Sequence, residues 1–305
     1  MDYPLQLYHS ITQLCNWNCP YCEFPTLENP RTVDIDRFKE LLVEIKQTTD
    51  NYDMEHCVEG GELGVATPDI IDAFFTSNLS NTYHVTTNGK FLEKNYHEKY
   101  KDKIHTILYH VKPEILDMKW DVNRYDMHGI ETYYTIVITR ENIDLAGDFF
   151  DYNSDLNFIP HILQPRRRDI ELMNIDYYKK VYDIVQRDNI NEGFERRYKW
   201  ITENFEKENV IGARNKICCN DYVKMMIDYV TETLIRCCIS TETDRVSLDQ
   251  LDRALQNEEL VFPVWDEVCD KCIATFNIRD IYYVPYDEIT IRNNPNFNKI
   301  MRKMS

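Results

Sequence analysis

From Pro4 to Gln164 the apolar positions switch back and forth between a period of two and a period near 3.6. Residues 4–12 predict a strand. Ile35, Phe38, Leu41, Leu42 and Ile45 recur at helical spacing, which predicts a helix over residues 33–48. Residues 54–58 predict a short second strand. Thr67, Pro68 and Asp69 have the form of a helix start, an N-cap threonine before an N1 proline, and the helix runs on through Phe75. Residues 83–87 and 104–111 predict two further strands. Residues 131–139 predict a fifth, rich in β-branched and aromatic side chains, and a helix follows over residues 140–150. Residues 157–163 predict a sixth strand.

Strands alternating with helices imply an α/β chain with a parallel sheet and helical crossovers. A partial barrel and a doubly wound open sheet both satisfy that pattern, and in each the C-terminal ends of the strands carry the chemistry. Cys15–Cys22, Gly60–Glu62 and Asn88 all fall just after predicted strands, so they are expected at one rim. Residues 174–209 are polar with helical character and read as a bridge. A smaller C-terminal unit follows, in which residues 225–236 predict a β-hairpin around Thr231, Glu232 and Thr233. The expected organisation is a core over 1–170, a bridge over 171–210 and an extension over 211–305. The tail from Asn293, rich in Asn and Lys, is expected to be loosely ordered.

Composition narrows the function classes. A chain of 305 residues with 43% hydrophobic and 12% aromatic content can build a substantial core. Its net charge of −17 lacks the electrostatic footprint of a nucleic-acid binder. The one basic triple, Arg166, Arg167 and Arg168, reads as a solvated loop or helix start. No signal peptide is visible at the N-terminus, and no apolar run approaches the ~18 residues of a membrane span. Ten cysteines without an export signal read as cytoplasmic thiols or metal ligands rather than disulfides.

Three of them, Cys15, Cys19 and Cys22, form CxxxCxxC directly behind the first strand. Disulfide pairing explains an odd, tightly spaced triplet poorly. Three thiolates in a short loop can hold an iron–sulfur cluster with one metal position open; structural zinc is the rival, though a fourth ligand is missing from the motif. Gly60-Gly61-Glu62 and Thr87-Asn88-Gly89 are each, taken alone, turn signals. Six more cysteines stand at Cys218, Cys219, Cys237, Cys238, Cys269 and Cys272, the last two as CxxC. Cys219, Cys237, Cys269 and Cys272 suit a four-ligand iron–sulfur or zinc site, with Cys218 and Cys238 as possible substitutes. Cys57 reads as a buried core thiol.

A strand, then CxxxCxxC with an aromatic residue before its last cysteine, then Gly-Gly-Glu after the second strand and Thr-Asn-Gly after the third, resembles the radical S-adenosylmethionine (radical SAM) superfamily over residues 4–165. The C-terminal cysteines resemble its twitch or shortened SPASM extension. The resemblance implies a partial (β/α)6 TIM-like barrel with a small C-terminal α+β cluster-binding extension. It implies that Cys15, Cys19 and Cys22 hold a 4Fe–4S cluster whose open iron takes S-adenosylmethionine. Tyr21 would lie near the adenine. Gly60, Gly61 and Glu62 would meet the methionyl ammonium, and Thr87 and Asn88 the ribose or carboxylate. Arg140 and Gln164 are weaker candidates for the cofactor, and His110 and His161 for proton handling, with Arg140 also a weak catalytic candidate. Tyr109 and Asn142 stand near the same strand ends. The extension would hold one auxiliary 4Fe–4S cluster, although the glycine usual in its hairpin is missing here. The implied activity is hydrogen abstraction from a peptide or protein side chain, leading to oxidation, crosslinking or epimerisation. The alternative is a small molecule such as a sugar, nucleotide or aminoglycoside. A reductant such as flavodoxin or ferredoxin is implied as a partner, with no nucleic acid and no membrane. The rival from another class is a non-catalytic zinc-binding or electron-transfer protein.

Overall fold

The computed structural model describes residues 5–19, 22, 24, 27–52, 54–112, 120–162, 175–187, 199, 202–203, 224–235 and 245–256. Its centre, among the described residues, is a sheet of nine strands. Seven are parallel, and the first six of these are β1 (Leu5–Ser10), β2 (Met54–Val58), β3 (Tyr83–Thr87), β4 (Ile104–Val111), β5 (Glu131–Ile138) and β6 (Phe158–Ile162). The spatial order continues from β1 into β7 (Lys224–Asp228), β8 (Thr233–Ile235) and β9 (Arg245–Ser247), to give β6-β5-β4-β3-β2-β1-β7-β8-β9. The first six strands therefore lie side by side in sequence order. A doubly wound sheet reverses its order at a switch point; a (β/α) barrel does not. Strand order thus decides between the two architectures that the sequence pattern allowed, in favour of the partial barrel.

Strand bounds follow the alternation closely: β2, β3 and β4 begin and end where the period of two does. Helix starts depend more on local hydrogen bonds. α1 (Ile35–Thr49) is capped by Asp34, whose carboxylate accepts from the backbone N–H of Asp36 and Arg37. α2 (Pro68–Thr76) has Thr67 at its N-cap position and Pro68 at its start, but the threonine side chain makes no cap hydrogen bond. α3 (Lys90–Glu93) and α4 (Tyr96–Lys99) are single turns. α5 (Ile143–Tyr152) begins three residues later than the apolar spacing predicts. The reason is Asn142: its Oδ1 accepts from the Thr139 N–H at 2.8 Å and its Nδ2 donates to the Val137 carbonyl at 2.9 Å, which holds residues 139–142 in a turn. α6 (Ile175–Val185) packs beside α5, and α7 (Leu251–Gln256) lies against α1.

The two faces of the sheet differ. Toward the helices point Leu7, Val58, Tyr83, Val85, Ile107, Tyr134, Ile136 and Phe158, all buried with Phe38, Phe74, Phe75, Phe149 and Phe150. The opposite face carries Gln6, Tyr8 and Ser10 on β1, Glu55 and Cys57 on β2, His84 and Thr86 on β3, His110 on β4, and Tyr133 and Thr135 on β5. Parallel sheets usually bury apolar residues on both faces. This face is the more polar of the two, and Cys57 belongs to it while remaining buried.

The predicted hairpin exists, and it is joined to the core. β7 runs parallel to β1, pairing Gln6 with Lys224 and Ser10 with Asp228, and β8 folds back antiparallel on β7. At the hairpin tip Glu232 accepts a fork of two bonds from Arg37, at 3.0 and 2.7 Å, at the start of α1. Both side chains are substantially exposed, so the pair sets position more than stability.

Beneath the tip the helix-facing side buries a polar chain. Tyr229 Oη meets His9 Nδ1 at 2.8 Å, and His9 Nε2 meets His56 Nδ1 at 3.0 Å. One proton serves each contact, so both rings are neutral. Burial pushes both histidines down, His56 from 6.5 to about 4, with Lys46 adding to the effect at His56 and His56 itself adding to it at His9. The unfolded chain therefore binds more protons than the native one between those values. Stability is full above about pH 6.5 and falls as pH drops toward 4, by roughly 3 kcal/mol for His56 alone. Thermal unfolding of the apo protein is expected to show a falling midpoint from pH 6.5 to 5, and His56→Gln is expected to flatten that slope. A slope unchanged in the variant would refute the assignment.

Candidate functional site

The site forms where three strand ends meet. After β1 the chain continues through Thr12, Gln13 and Leu14 into the cysteine loop. After β2 comes the Gly60–Glu62 turn. Gly61 N–H donates to the Thr12 carbonyl at 2.9 Å, and Glu62 N–H to the Leu14 carbonyl at 2.8 Å. A Cβ on Gly61 would overlap those same carbonyl oxygens, so only glycine lets the two segments approach. Gly60 has φ of +136°, and a Cβ there would meet Ser10 Oγ at 2.5 Å. Both glycines of the motif are thus required by the contact between β1 and β2, before any ligand is considered.

Glu62 is buried, 2% exposed, and its carboxylate is filled from within. Oε1 accepts from the Gly64 N–H at 2.9 Å, the Phe91 N–H at 3.1 Å and the Thr87 hydroxyl at 2.9 Å; Oε2 accepts from the Asn88 N–H at 2.7 Å. Burial pushes its carboxyl up and the four donors pull it back. Four donors and no acceptor fit the ionised form. Thr87 is buried, and its hydroxyl also accepts from the Gly89 N–H at 3.0 Å. The sequence reading gave Glu62 and Thr87 to the cofactor. In the structure their polar atoms hold each other, and they frame the rim.

Asn88 points back to the cysteine loop. Its Nδ2 donates to Cys15 Sγ at 3.4 Å and to Asn16 Oδ1 at 2.9 Å. Cys15 Sγ also receives the Trp17 N–H at 3.4 Å, and the Cys22 N–H donates to the Cys19 carbonyl at 3.0 Å. Cys15, Cys19 and Cys22 take part in no disulfide among the described residues, and each is half-buried. Burial raises the Cys15 thiol, the Trp17 N–H opposes this, and Glu62, Cys22 and Cys19 lie near enough to add to the rise. Asn16 and Trp17 carry no mark in the sequence beyond their place between Cys15 and Cys19.

The β7–β8 hairpin reaches the same loop. Asp228, 2% exposed, accepts from Arg245 Nη1 at 2.8 Å, the Val230 N–H at 3.0 Å and Gln13 Nε2 at 3.4 Å. Gln13 is the second residue before Cys15, so the extension braces the base of the loop. No local signal in the sequence marks Asp228, because its partners are remote.

The weaker candidates divide. His110 is half-buried on the more polar face, opposite Thr135 in the β4–β5 register. Thr135 Oγ1 and Ser10 Oγ are both buried without a hydrogen-bond partner. His161 has its backbone on β6, opposite Val137. Arg140 is exposed, two residues beyond β5. Tyr109 is corrected: it lies on the helix side, under Gly89 and against Tyr125 and Tyr134. Asn142 is likewise the turn residue described above. Tyr21, Gln164, the Arg166–Arg168 run, Cys218, Cys219, Cys237, Cys238, Cys269, Cys272 and the tail from Asn293 lie outside the described residues. Among the described residues no helix is long and apolar enough to cross a membrane.

Removing the Glu62 carboxylate strands four donors at the junction. Glu62→Ala is expected to cost about 2–5 kcal/mol of apo-protein stability, read as a lowered denaturant midpoint. A side chain needed only for ligand contact would leave that midpoint unchanged.

No protein-family model matches the chain, and no curated protein does. Solved structures do. SuiB from Streptococcus suis bound to S-adenosylmethionine is 16% identical with a TM-score of 0.55, covering 85% of this chain and 65% of SuiB. The chain thus spans about 65% of the length of that protein. anSMEcpe with bound AdoMet and a Cp18Cys peptide is 14% identical with a TM-score of 0.56, covering 85% of this chain and 81% of the other. SuiB bound to the precursor peptide SuiA is 15% identical with a TM-score of 0.50, covering 90% and 70%. At such identities the likeness is one of fold, a partial (β/α) barrel whose first six parallel strands follow one another in sequence order.

Proposed function

We propose that the chain is a radical SAM enzyme that modifies a peptide or protein side chain. The observation that carries this reading is the junction of the Cys15–Cys22 loop, the Gly60–Glu62 turn and the Thr87–Gly89 turn through one buried carboxylate. Each motif alone is a turn; their assembly beside three half-buried thiols supports a cluster cradle. Three thiols in one short loop, with no fourth ligand in the motif, suit a 4Fe–4S cluster held by Cys15, Cys19 and Cys22 with one iron left open.

When bound, the cluster and S-adenosylmethionine supply a 5′-deoxyadenosyl radical able to take a hydrogen atom from a substrate. The chain's own residues do the rest. The two glycine-dependent contacts fix the loop against β1 and β2. The polar face below the rim carries half-buried His110 and Tyr133, which would offer hydrogen-bonding groups to a polar substrate. The substrate class is supported by the solved structures of similar fold that hold peptides, SuiA in one and Cp18Cys in another. An auxiliary 4Fe–4S cluster on Cys219, Cys237, Cys269 and Cys272, and an electron donor such as flavodoxin or ferredoxin, complete the proposal. The cysteines flanking the hairpin in sequence, and the bracing of Gln13 by Asp228, support a role for the extension beside the site.

Anaerobically reconstituted protein is expected to be brown, to hold about eight irons per chain if both clusters form, and to release 5′-deoxyadenosine from S-adenosylmethionine under dithionite. Cys19→Ala is expected to lose about four of those irons and the 5′-deoxyadenosine. Colourless protein carrying only zinc would overturn the reading, and loaded protein that never yields 5′-deoxyadenosine would leave an electron-transfer protein in its place.

A further inference from the structure

The Asn88 side chain is oriented without ambiguity. Its Oδ1 accepts from the Lys90 N–H at 3.3 Å, so the nitrogen is the atom that faces the loop. That nitrogen has two N–H groups, and each has a partner: Asn16 Oδ1 and Cys15 Sγ. The backbone carrying the side chain is fixed as well, since the Asn88 N–H is held by Glu62 at 2.7 Å and Thr87 is held by the same carboxylate. Asn88 is therefore a donor built onto the end of β3 and aimed at one of the three thiols. Cys15 Sγ also receives the Trp17 N–H.

We infer that Asn88 is a positioning and tuning residue for the cluster, acting through Cys15 rather than through the cofactor's ribose or carboxylate. The inference rests on the cluster reading above. An N–H donated to a ligating thiolate draws charge from sulfur. It stabilises the more negative state reached when one electron arrives from a low-potential donor, and so raises the reduction potential. Two such bonds converge on Cys15, one from Asn88 and one from the Trp17 N–H. Asn16 sets the amide plane from the other side, so the donor stays in place through the redox change.

The test is a potentiometric titration of full-length, anaerobically reconstituted protein, followed by the electron paramagnetic resonance signal of the reduced cluster. The signal is assigned by its absence from a Cys15→Ala, Cys19→Ala, Cys22→Ala variant, which separates it from any auxiliary cluster. Asn88→Ala is expected to shift the midpoint to a more negative potential at wild-type iron content. Asn88→Asp, which keeps the shape, removes the donor and adds a negative charge, is expected to shift it further in the same direction. Iron-loaded variants with the wild-type midpoint would overturn the inference. Loss of iron from both variants would overturn it too, leaving Asn88 a purely structural residue. Absence of any iron–sulfur signal from the wild type would instead overturn the cluster reading itself.

Discussion

One buried carboxylate holds the working end of this protein together. Glu62 takes two backbone N–H groups from the start of α3 and the residue before it in space, one from its own turn and a hydroxyl from the end of β3. Burying a carboxylate is costly unless it is fully hydrogen-bonded. Here it is, and its donors come from the turns that follow two neighbouring strands, β2 and β3. The cysteine loop then hangs from the same turn through the Gly61 and Glu62 N–H groups. The rim is thus a closed hydrogen-bonded assembly in which side-chain chemistry is used to fix backbone.

That constraint also accounts for the division of labour between the faces of the sheet. The helix side is packed with aromatic rings, Phe74 touching His9, Phe75 and Tyr83, and Phe158 touching Phe149 and Phe150. It supplies the hydrophobic stabilisation of the domain. The opposite side is spared that duty and can be polar. The buried Tyr229–His9–His56 chain is the exception, a polar seam inside the apolar layer at the place where the hairpin joins the barrel.

Much of this was legible in the sequence. The limits of β2, β3 and β4 follow from simple alternation, and the spacing of Cys15, Cys19 and Cys22 placed the site behind β1. What was hidden was hidden for physical reasons. α5 starts late because an asparagine in a local turn competes with helix, and apolar spacing does not register that. The partners of Glu62 are mostly backbone N–H groups, which every residue has, so the sequence shows the carboxylate and not its occupation. Asp228 finds Gln13 and Arg245 through tertiary contact alone. The parallel pairing of β7 with β1 leaves no local period, so the hairpin was foreseen while its attachment to the core was not.

The attachment has a consequence for how the chain is made. β1 is synthesised well before β7, yet one of its edges has to wait for it, since the neighbour of Ser10 is Asp228. Until then the strand that leads into the cysteine loop presents unpaired N–H and C=O groups to whatever is nearby. Pairings so distant in sequence form slowly. The nascent protein therefore passes through a half-built stage in which its thiol-bearing loop stands beside an open edge, until β7 and β8 arrive to extend the sheet beside it.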